Sequence, residues 1–293
     1  MNAELGRLLD SQGGVVTSAQ ALTCLTRRGL EAYVKSGALQ RIWHGIYGRG
    51  QLTIELQLRG LDLATGTTVA ACLGTAAAAY GFDTERRTEL HVLNPVGRRL
   101  HSTAGLFVHR RDGAPMALVA GRPATAPAWT AIEVARGLRR PRMLATLDAA
   151  LRSGTCSRDE LQHGIERQSG RRGIVTVREL LSLASPLAES PMESEARLVM
   201  IDGGLPPPVL QYEVVDLNGR TWRLDFAWPE FRVAAEYDGI DWHSGPEAFL
   251  RDRRRTSALQ ELGWLVVPIV AGDVRYRPGE LIRRVKTQLR YAA

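Results

Sequence analysis

The dipeptide Asn218-Gly219 lies between two stretches of alternating character, "QYEVVDL" before it and "RTWRLDFAW" after it. Asn and Gly both accept the positive φ of the tight turns whose twist matches a hairpin, so the pair joins two antiparallel strands. A side-chain period of two predicts that Trp222, Leu224 and Phe226 share one face, with Asp225 and Arg223 on the other. In the next strand, "RVAAEYDG", Val233, Ala235 and Tyr237 share a face, with Glu236 and Asp238 opposite. If the strands are neighbours, Asp225, Glu236 and Asp238 converge on one side of the sheet. Three carboxylates that close repel one another unless protonated, paired with arginine or bound to a cation. A hard cation such as Mg²⁺ takes such oxygen ligands together with water and substrate phosphate. The arginines between Arg251 and Arg255 offer the alternative, an ion-pair network that neutralises the same acids.

The flanks complete a layered unit. "MESEARLVMIDGGLPPP" reads as a helix closed by Gly203-Gly204, and "SGPEAFLRDRRRTSALQELG" as a helix with Pro246 in its first turn. "WLVVPIV" is a buried strand and "GELIRRVKTQLR" a final helix. Helix, three strands, helix, strand, helix is an α/β sandwich. Glu193 lies on the leading helix, one turn from Arg197, a spacing that suits an ion pair.

The chain of 293 residues carries a net charge of +7, with lysine only at Lys35 and Lys286. Arginine's planar fork suits phosphate oxygens and guanine edges, which favours a nucleic-acid partner. A genome rich in G and C produces the same arginine bias without functional meaning. Cys24, Cys72 and Cys156 are scattered and form no CxxC pair, which fits a reducing cytoplasm rather than a disulfide framework or zinc knuckle. No signal-peptide pattern is visible after Met1, and the apolar run from Thr67 to Phe82 is too short to span a bilayer. The expectation is a cytoplasmic protein with no membrane partner.

At the start of the chain, "AELGRLLDSQG", "VVTSAQALTCL" and "RRGLEAYVKSG" read as three short helices, the second opening with a Thr17–Gln20 capping box. "ALQRIWHGIYGRG" alternates Leu39, Arg41, Trp43 and Gly45, as a small ribbon does. This is the outline of a winged helix-turn-helix, in which the last helix enters the major groove and the ribbon touches the backbone. Arg27, Arg28 and Lys35 would face DNA, with Arg41 in the wing. A three-helix module for protein contacts is the alternative. Helix-turn-helix proteins bind as dimers on paired half-sites, so a homodimer is a candidate assembly, although no dimer-forming helix is legible.

Between residues 51 and 188, "TELHVLNP" and "GLFVHRR" read as strands, while "APAWTAIEVARGL", "PRMLATLDAALRSG" and "SRDELQHGIERQSG" read as helices. His91, His101 and His109 lack metal-ligand spacing and are taken as satisfied or exposed side chains. No phosphate-cradling glycine motif occurs, which argues against a nucleotide cofactor. "SPLAESP", ending at Pro191, reads as a linker.

Two resemblances add to this reading. "GGVVTSAQAL…RRGLEAYVKSGALQRIWHGIY" resembles the N-terminal domain of AbiEi-type antitoxins, and the middle part resembles the body that follows it; this implies a toxin partner. From about Met192 to Arg290, "GLPPPVLQYEV", "RLDFAWP", "VAAEYDG", "WH" and "FLRDRRRTSALQELGW" resemble the Vsr-like branch of the PD-(D/E)XK nucleases. The resemblance implies that Asp225 and Glu236 bind Mg²⁺ or Mn²⁺ and that His243 activates water. Asp238 would ligate a second metal or orient His243, and Glu193 would add a further acid from the leading helix. Arg251, Arg254 and Arg255 would reach DNA phosphate, and Trp242 would pack in the core or stack on a base. The superfamily's usual lysine is missing, since Asp238 stands two residues after Glu236, and Lys286 is the sole local substitute. No cysteine follows Cys156, so no zinc is expected.

The expected fold is therefore a multidomain α/β protein. It has a winged helix-turn-helix over 1–50, a middle α+β scaffold over 51–188 and a restriction-endonuclease-like α/β sandwich over 189–293. The expected function is a metal-dependent DNA endonuclease. The alternative is an antitoxin-like DNA-binding regulator whose nuclease fold has become a binding module, and an RNA-directed nuclease fits the same residue types.

Overall fold

In a computed structural model the chain is a mixed α/β protein, described over residues 2–85, 88–97, 99–110, 113–239 and 246–291, with the backbone alone for 246–252 and 291. It forms two compact units, residues 1–79 with 86–126 and residues 80–85 with 127–293. The sequence boundaries at 50/51 and 188/189 each fall inside a unit.

The first unit opens with α1 (Ala3–Ser11), β1 (Val15–Thr17), α2 (Ser18–Cys24), α3 (Arg27–Lys35), β2 (Gln40–Trp43) and β3 (Ile46–Gly48). Polar caps start all three helices: Asn2 accepts from the Glu4 and Leu5 amides, Thr17 forms the expected capping box with Gln20, and Thr26 accepts from Gly29. These side chains satisfy amides that have no partner within the helix. Leu5, Leu9, Val16, Ala21, Leu30 and Leu39 interlock beneath them. The strands form an antiparallel sheet of order β1-β3-β2.

The next helix, α4 (Ile54–Thr65), packs on this sheet. The even alternation read through the ribbon does not hold, because the register shifts between Arg41 and Trp43. A bulge of this kind re-aims the side chains beside it. Arg41 stays exposed, while the Trp43 indole donates to the Gln57 carbonyl of α4 at 3.0 Å. After α5 (Leu73–Ala79) come the parallel pair β4 (Leu90–Leu93) and β5 (Leu106–His109), then the hairpin β6 (Met116–Val119) and β7 (Arg122–Thr125). Arg122 grips Asp62 of α4 through two hydrogen bonds of 3.0 and 2.8 Å.

The second unit carries α6 (Pro127–Ala135), α7 (Arg140–Arg152), α8 (Arg158–Arg167) and α9 (Ile174–Leu181), followed by α10 (Pro191–Asp202). Ser190 caps α10 and Pro191 opens it. The segment read as a linker is pinned rather than free. Arg197 donates to the Leu183 carbonyl at 2.5 Å, Arg152 donates to the Ala188 carbonyl, and the Ser185 amide donates to Asp148 at 2.7 Å. Helix α10 also packs along α7, where Arg197 and Asp148 form a buried ion pair at 2.5 Å.

The remaining elements are β8 (Val209–Val215), β9 (Thr221–Trp228), β10 (Val233–Tyr237), α11 (Pro246–Glu261), β11 (Leu265–Ile269), α12 (Ala271–Arg275) and α13 (Pro278–Tyr291). The sheet has the order β11-β10-β9-β8, with β11 parallel to β10 and the other pairs antiparallel. The β8–β9 turn is closed by the Gly219 amide on the Asp216 carbonyl, and of the expected Asn218-Gly219 pair Gly219 alone takes a positive φ, +79°. On one face Phe226, Trp228, Val233, Ala235, Val267 and Ile269 pack against α10, α12 and α13. On the other, Trp222, Leu224, Ala227 and Ala234 pack against Ala258 and Leu259 of α11.

Candidate functional site

The two faces are not built as strict alternation predicts. Trp222 and Leu224 face α11, but Phe226 and Trp228 face α10 and α13. On β8 the same switch separates Tyr212 and Val214 from Leu210. The expectation that Trp222, Leu224 and Phe226 share a face is therefore corrected. The switch occurs at one place on both strands: Leu210 pairs with Phe226 and Tyr212 with Leu224, and the intervening Gln211 and Asp225 drop out of the ladder. Gln211 there adopts a φ of +51°, the left-handed region.

The β9–β10 ladder stops at the same level. It runs from Val233↔Trp228 to Ala235↔Phe226, and the next residues on each strand are Asp225 and Glu236. Past this point the Asp225 carboxylate, rather than a backbone carbonyl, accepts the Tyr237 amide at 2.9 Å. Asp225 and Glu236 thus occupy a wedge opened by diverging strands. Glu193 joins them from α10: it accepts from the Glu189 amide at 2.8 Å and from Gln211 Nε2 at 3.2 Å. The expected pairing of Glu193 with Arg197 does not form, since Arg197 turns to Asp148.

Burial is the leading cause of the electrostatics here. It raises the Asp225 carboxyl above the ordinary range against the Tyr237 amide and Arg255, which pull it down. Glu193 is raised by burial and by the charge of Asp225. Glu236 is pushed up to about 7 by burial, with Asp225 and Asp238 adding repulsion that Arg255 offsets in part. Arg255 is the counter-ion of the wedge: its guanidinium pairs with Glu236 and donates to the Arg223 carbonyl at 2.7 Å.

The other expected residues are placed as follows. Asp238 is exposed just beyond β10, its amide bonded to the Ile269 carbonyl at 2.8 Å. His243 and Trp242 lie outside the described residues, as does the side chain of Arg251. Arg254 borders a groove beside the β8–β9 turn with Asp216 and Arg220, away from Arg255's partner. Lys286 is exposed on α13, whose apolar side packs on the sheet face opposite α11. Among the described residues, no three or more His, Cys, Asp or Glu side chains gather in a metal-holding arrangement. His91 and His109 satisfy one another at 2.9 Å with stacked rings, and His101 is exposed. Sequence reasoning missed Gln211, whose backbone and side chain both shape the wedge. A polar residue opposite Asp225 across the hairpin was the available signal.

A second surface lies in the first unit. Arg27, Glu31 and Lys35 of α3 line one side of a cleft, with Arg41 of β2, Ser18 of α2 and Tyr47 of β3 around it. Arg28 is exposed on α3 but is not part of the cleft. The ribbon turn is held to the start of α2 by the Ser18 amide, which donates to the Gly45 carbonyl at 2.7 Å. Arg41 is steadied by His44 Nδ1 at 2.9 Å.

Residues 69–183 match the AbiEi antitoxin C-terminal domain, on the stretch read above as the AbiEi-like body. Two proteins of Mycobacterium tuberculosis, the uncharacterized proteins MT2308 and Rv2248, are each 56% identical to this chain over 265 residues. The aligned part is 90% of this chain and 97% of theirs. The chain belongs to the family of these two mycobacterial proteins. Among the described residues no helix is long and apolar enough to cross a membrane.

Proposed function

We propose that the protein is a DNA-binding regulator of the antitoxin type, which reads operator DNA through a winged helix-turn-helix in residues 1–50 and neutralises a toxin partner through its remaining length. The observation that carries this reading is the cationic cleft on α3 and β2, set on the order α1-β1-α2-α3-β2-β3 with sheet order β1-β3-β2. In a winged helix the second helix of the pair enters the major groove and the ribbon lies along the backbone. That assigns Arg27, Arg28 and Lys35 to the groove and its phosphates, and Arg41 to the flanking strand. The AbiEi match over residues 69–183 supports the antitoxin part.

The test is binding of the full chain to its own promoter DNA across a salt series. Salt dependence reports the phosphates neutralised, with a slope of about −0.9 per contact on duplex DNA. Arg27→Ala and Lys35→Ala should each weaken binding and flatten the slope by about one. Binding that ignores both substitutions would sink the reading.

The second reading is a metal-dependent DNA endonuclease, favoured by the wedge in which Asp225, Glu236 and Glu193 are brought together. Asp225 and Glu236 would hold Mg²⁺ or Mn²⁺, which requires Arg255 to release Glu236. The cation would supply neutralisation of charge on the phosphoryl oxygens. Asp238 would assist from the rim, and Arg254 and Arg255 would meet phosphate. Cleavage of supercoiled, mismatched and single-stranded DNA, with either metal and with EDTA, separates the readings. Metal-dependent cutting lost in Asp225→Ala establishes the enzyme; no cutting, with promoter binding intact, leaves the regulator.

A further inference from the structure

Within the cationic cleft stands one acid. Arg27, Glu31 and Lys35 follow one another at intervals of four residues, so all three lie along a single stripe of α3, and all three border the cleft. This spacing is the one at which opposite charges on a helix pair. Yet among the described residues no hydrogen bond or ion pair engages the Glu31 carboxylate, and it is exposed. A free carboxylate in the middle of a phosphate-binding surface weakens attraction to DNA of every sequence, because it adds to the charge the arginines and lysine must overcome. Such a group is favourable only opposite a hydrogen-bond donor.

The major groove offers such a donor without an adjoining acceptor on one base alone. Cytosine presents its N4 amino group; adenine sets its N6 amino beside the N7 acceptor, and guanine and thymine present acceptors to the groove. We infer that Glu31 is the specificity-determining side chain of this surface, accepting a hydrogen bond from the N4 amino group of a cytosine while Arg27, Lys35 and Arg41 hold the flanking phosphates. The inference rests on the DNA-binding reading above and deepens it: the operator half-site contains a required cytosine.

The test is selection of binding sites by the full chain from a random-sequence duplex library, run side by side with Glu31→Gln and Glu31→Ala. The wild type should fix a cytosine at one position of its site. Glu31→Gln should move the preference at that position to adenine, since an amide both donates and accepts and so matches N7 and N6 together. Glu31→Ala should lose the preference by about 10- to 100-fold while binding random DNA more tightly. Glu31 is exposed and caps nothing, so both variants should fold, and a change of preferred base is not produced by loss of stability. Unchanged base preference in both variants overturns the inference and leaves the DNA-binding reading standing, as does wild-type binding with no sequence preference. No binding by the wild type to any duplex overturns both.

Discussion

Asp148 and Arg197 face each other at 2.5 Å with side chains 0% and 6% exposed. Burial raises the Asp148 carboxyl, and the neighbouring guanidinium, with hydrogen bonds from Ser194, Ser185 and Arg197 itself, pulls it back. Removing one partner leaves a buried charge without compensation, which costs about 3 to 5 kcal/mol. Arg197→Met should therefore destabilise the protein by that amount in denaturant titrations at neutral pH, and adding Asp148→Asn should recover at least half of it. In the wedge, Glu236 has its folded-state pKa raised from 4.5 to about 7. The folded state holds that proton more tightly, so the stabilisation from protonated Glu236 is complete below the unfolded value. It is lost as pH rises towards 7. Wild type should lose stability relative to Glu236→Gln between about pH 4.5 and 7, by at most about 3 kcal/mol at 1.36 kcal/mol per pH unit. An equal response of the two proteins refutes it. The adjacency of Asp225 and Glu236 was legible from neighbouring strands, but the side-chain period that was to aim them alike breaks at Asp225 itself. The Asp148–Arg197 pair was not legible, because helical spacing offers Glu193 as Arg197's partner, and only burial between α7 and α10 makes Asp148 the better one.

Helices and strands were read well where caps and turns announce them. Thr17 and Thr26 accept the first-turn amides that such residues favour, whereas Ser190, read as part of a linker, is the cap of α10. The face switch at Gln211 and Asp225 escaped, since Trp222, Leu224, Phe226 and Trp228 form an unbroken apolar alternation. The residue that betrays it, Ala227, is too small to stand out. Helix α9 also went unread, although a glycine marks its start. Gly173 has φ +84°, and a Cβ there would overlap the Arg136 carbonyl oxygen, whereas Gly170 has φ +80° and open space around the Cβ position. The left-handed region costs a non-glycine residue about 1 to 2 kcal/mol. Gly170→Ala should lower stability by about that much, and Gly173→Ala by clearly more, since it adds a clash with backbone. Paired thermal melts decide it, and equal losses count against the overlap.

Over the whole chain, composition suggests a break near "SPLAESP", because proline and serine between helical stretches imitate a tether. The partners that fix those residues, Arg152, Arg197 and Asp148, come from helices before and after them. Glu195 makes the same point: it is 1% exposed and meets Arg139, Arg142 and Arg275, drawn from both sides of the supposed break. A chain cut after residue 188 loses Arg197 and Glu195 together, stranding Asp148 and two arginines. In such a fragment residues 127–188 should lose their cooperative transition while the first unit keeps its own. The helical circular-dichroism signal lost in a sharp step should then fall well below the full chain's per residue; a step of full amplitude per residue at the full-length temperature contradicts this.

Helix α10 thus serves two layers at once. It packs on the segment that matches an antitoxin domain, and it forms one wall of the sheet that carries the acidic wedge. A deletion that took this sheet together with α10 would remove Glu195 and Arg197, the buried partners of Arg139, Arg142 and Asp148 in the matched segment. Selection on the stability of that helical layer is then enough to hold the sheet in place, and the persistence of its acidic wedge is no measure of the wedge's use.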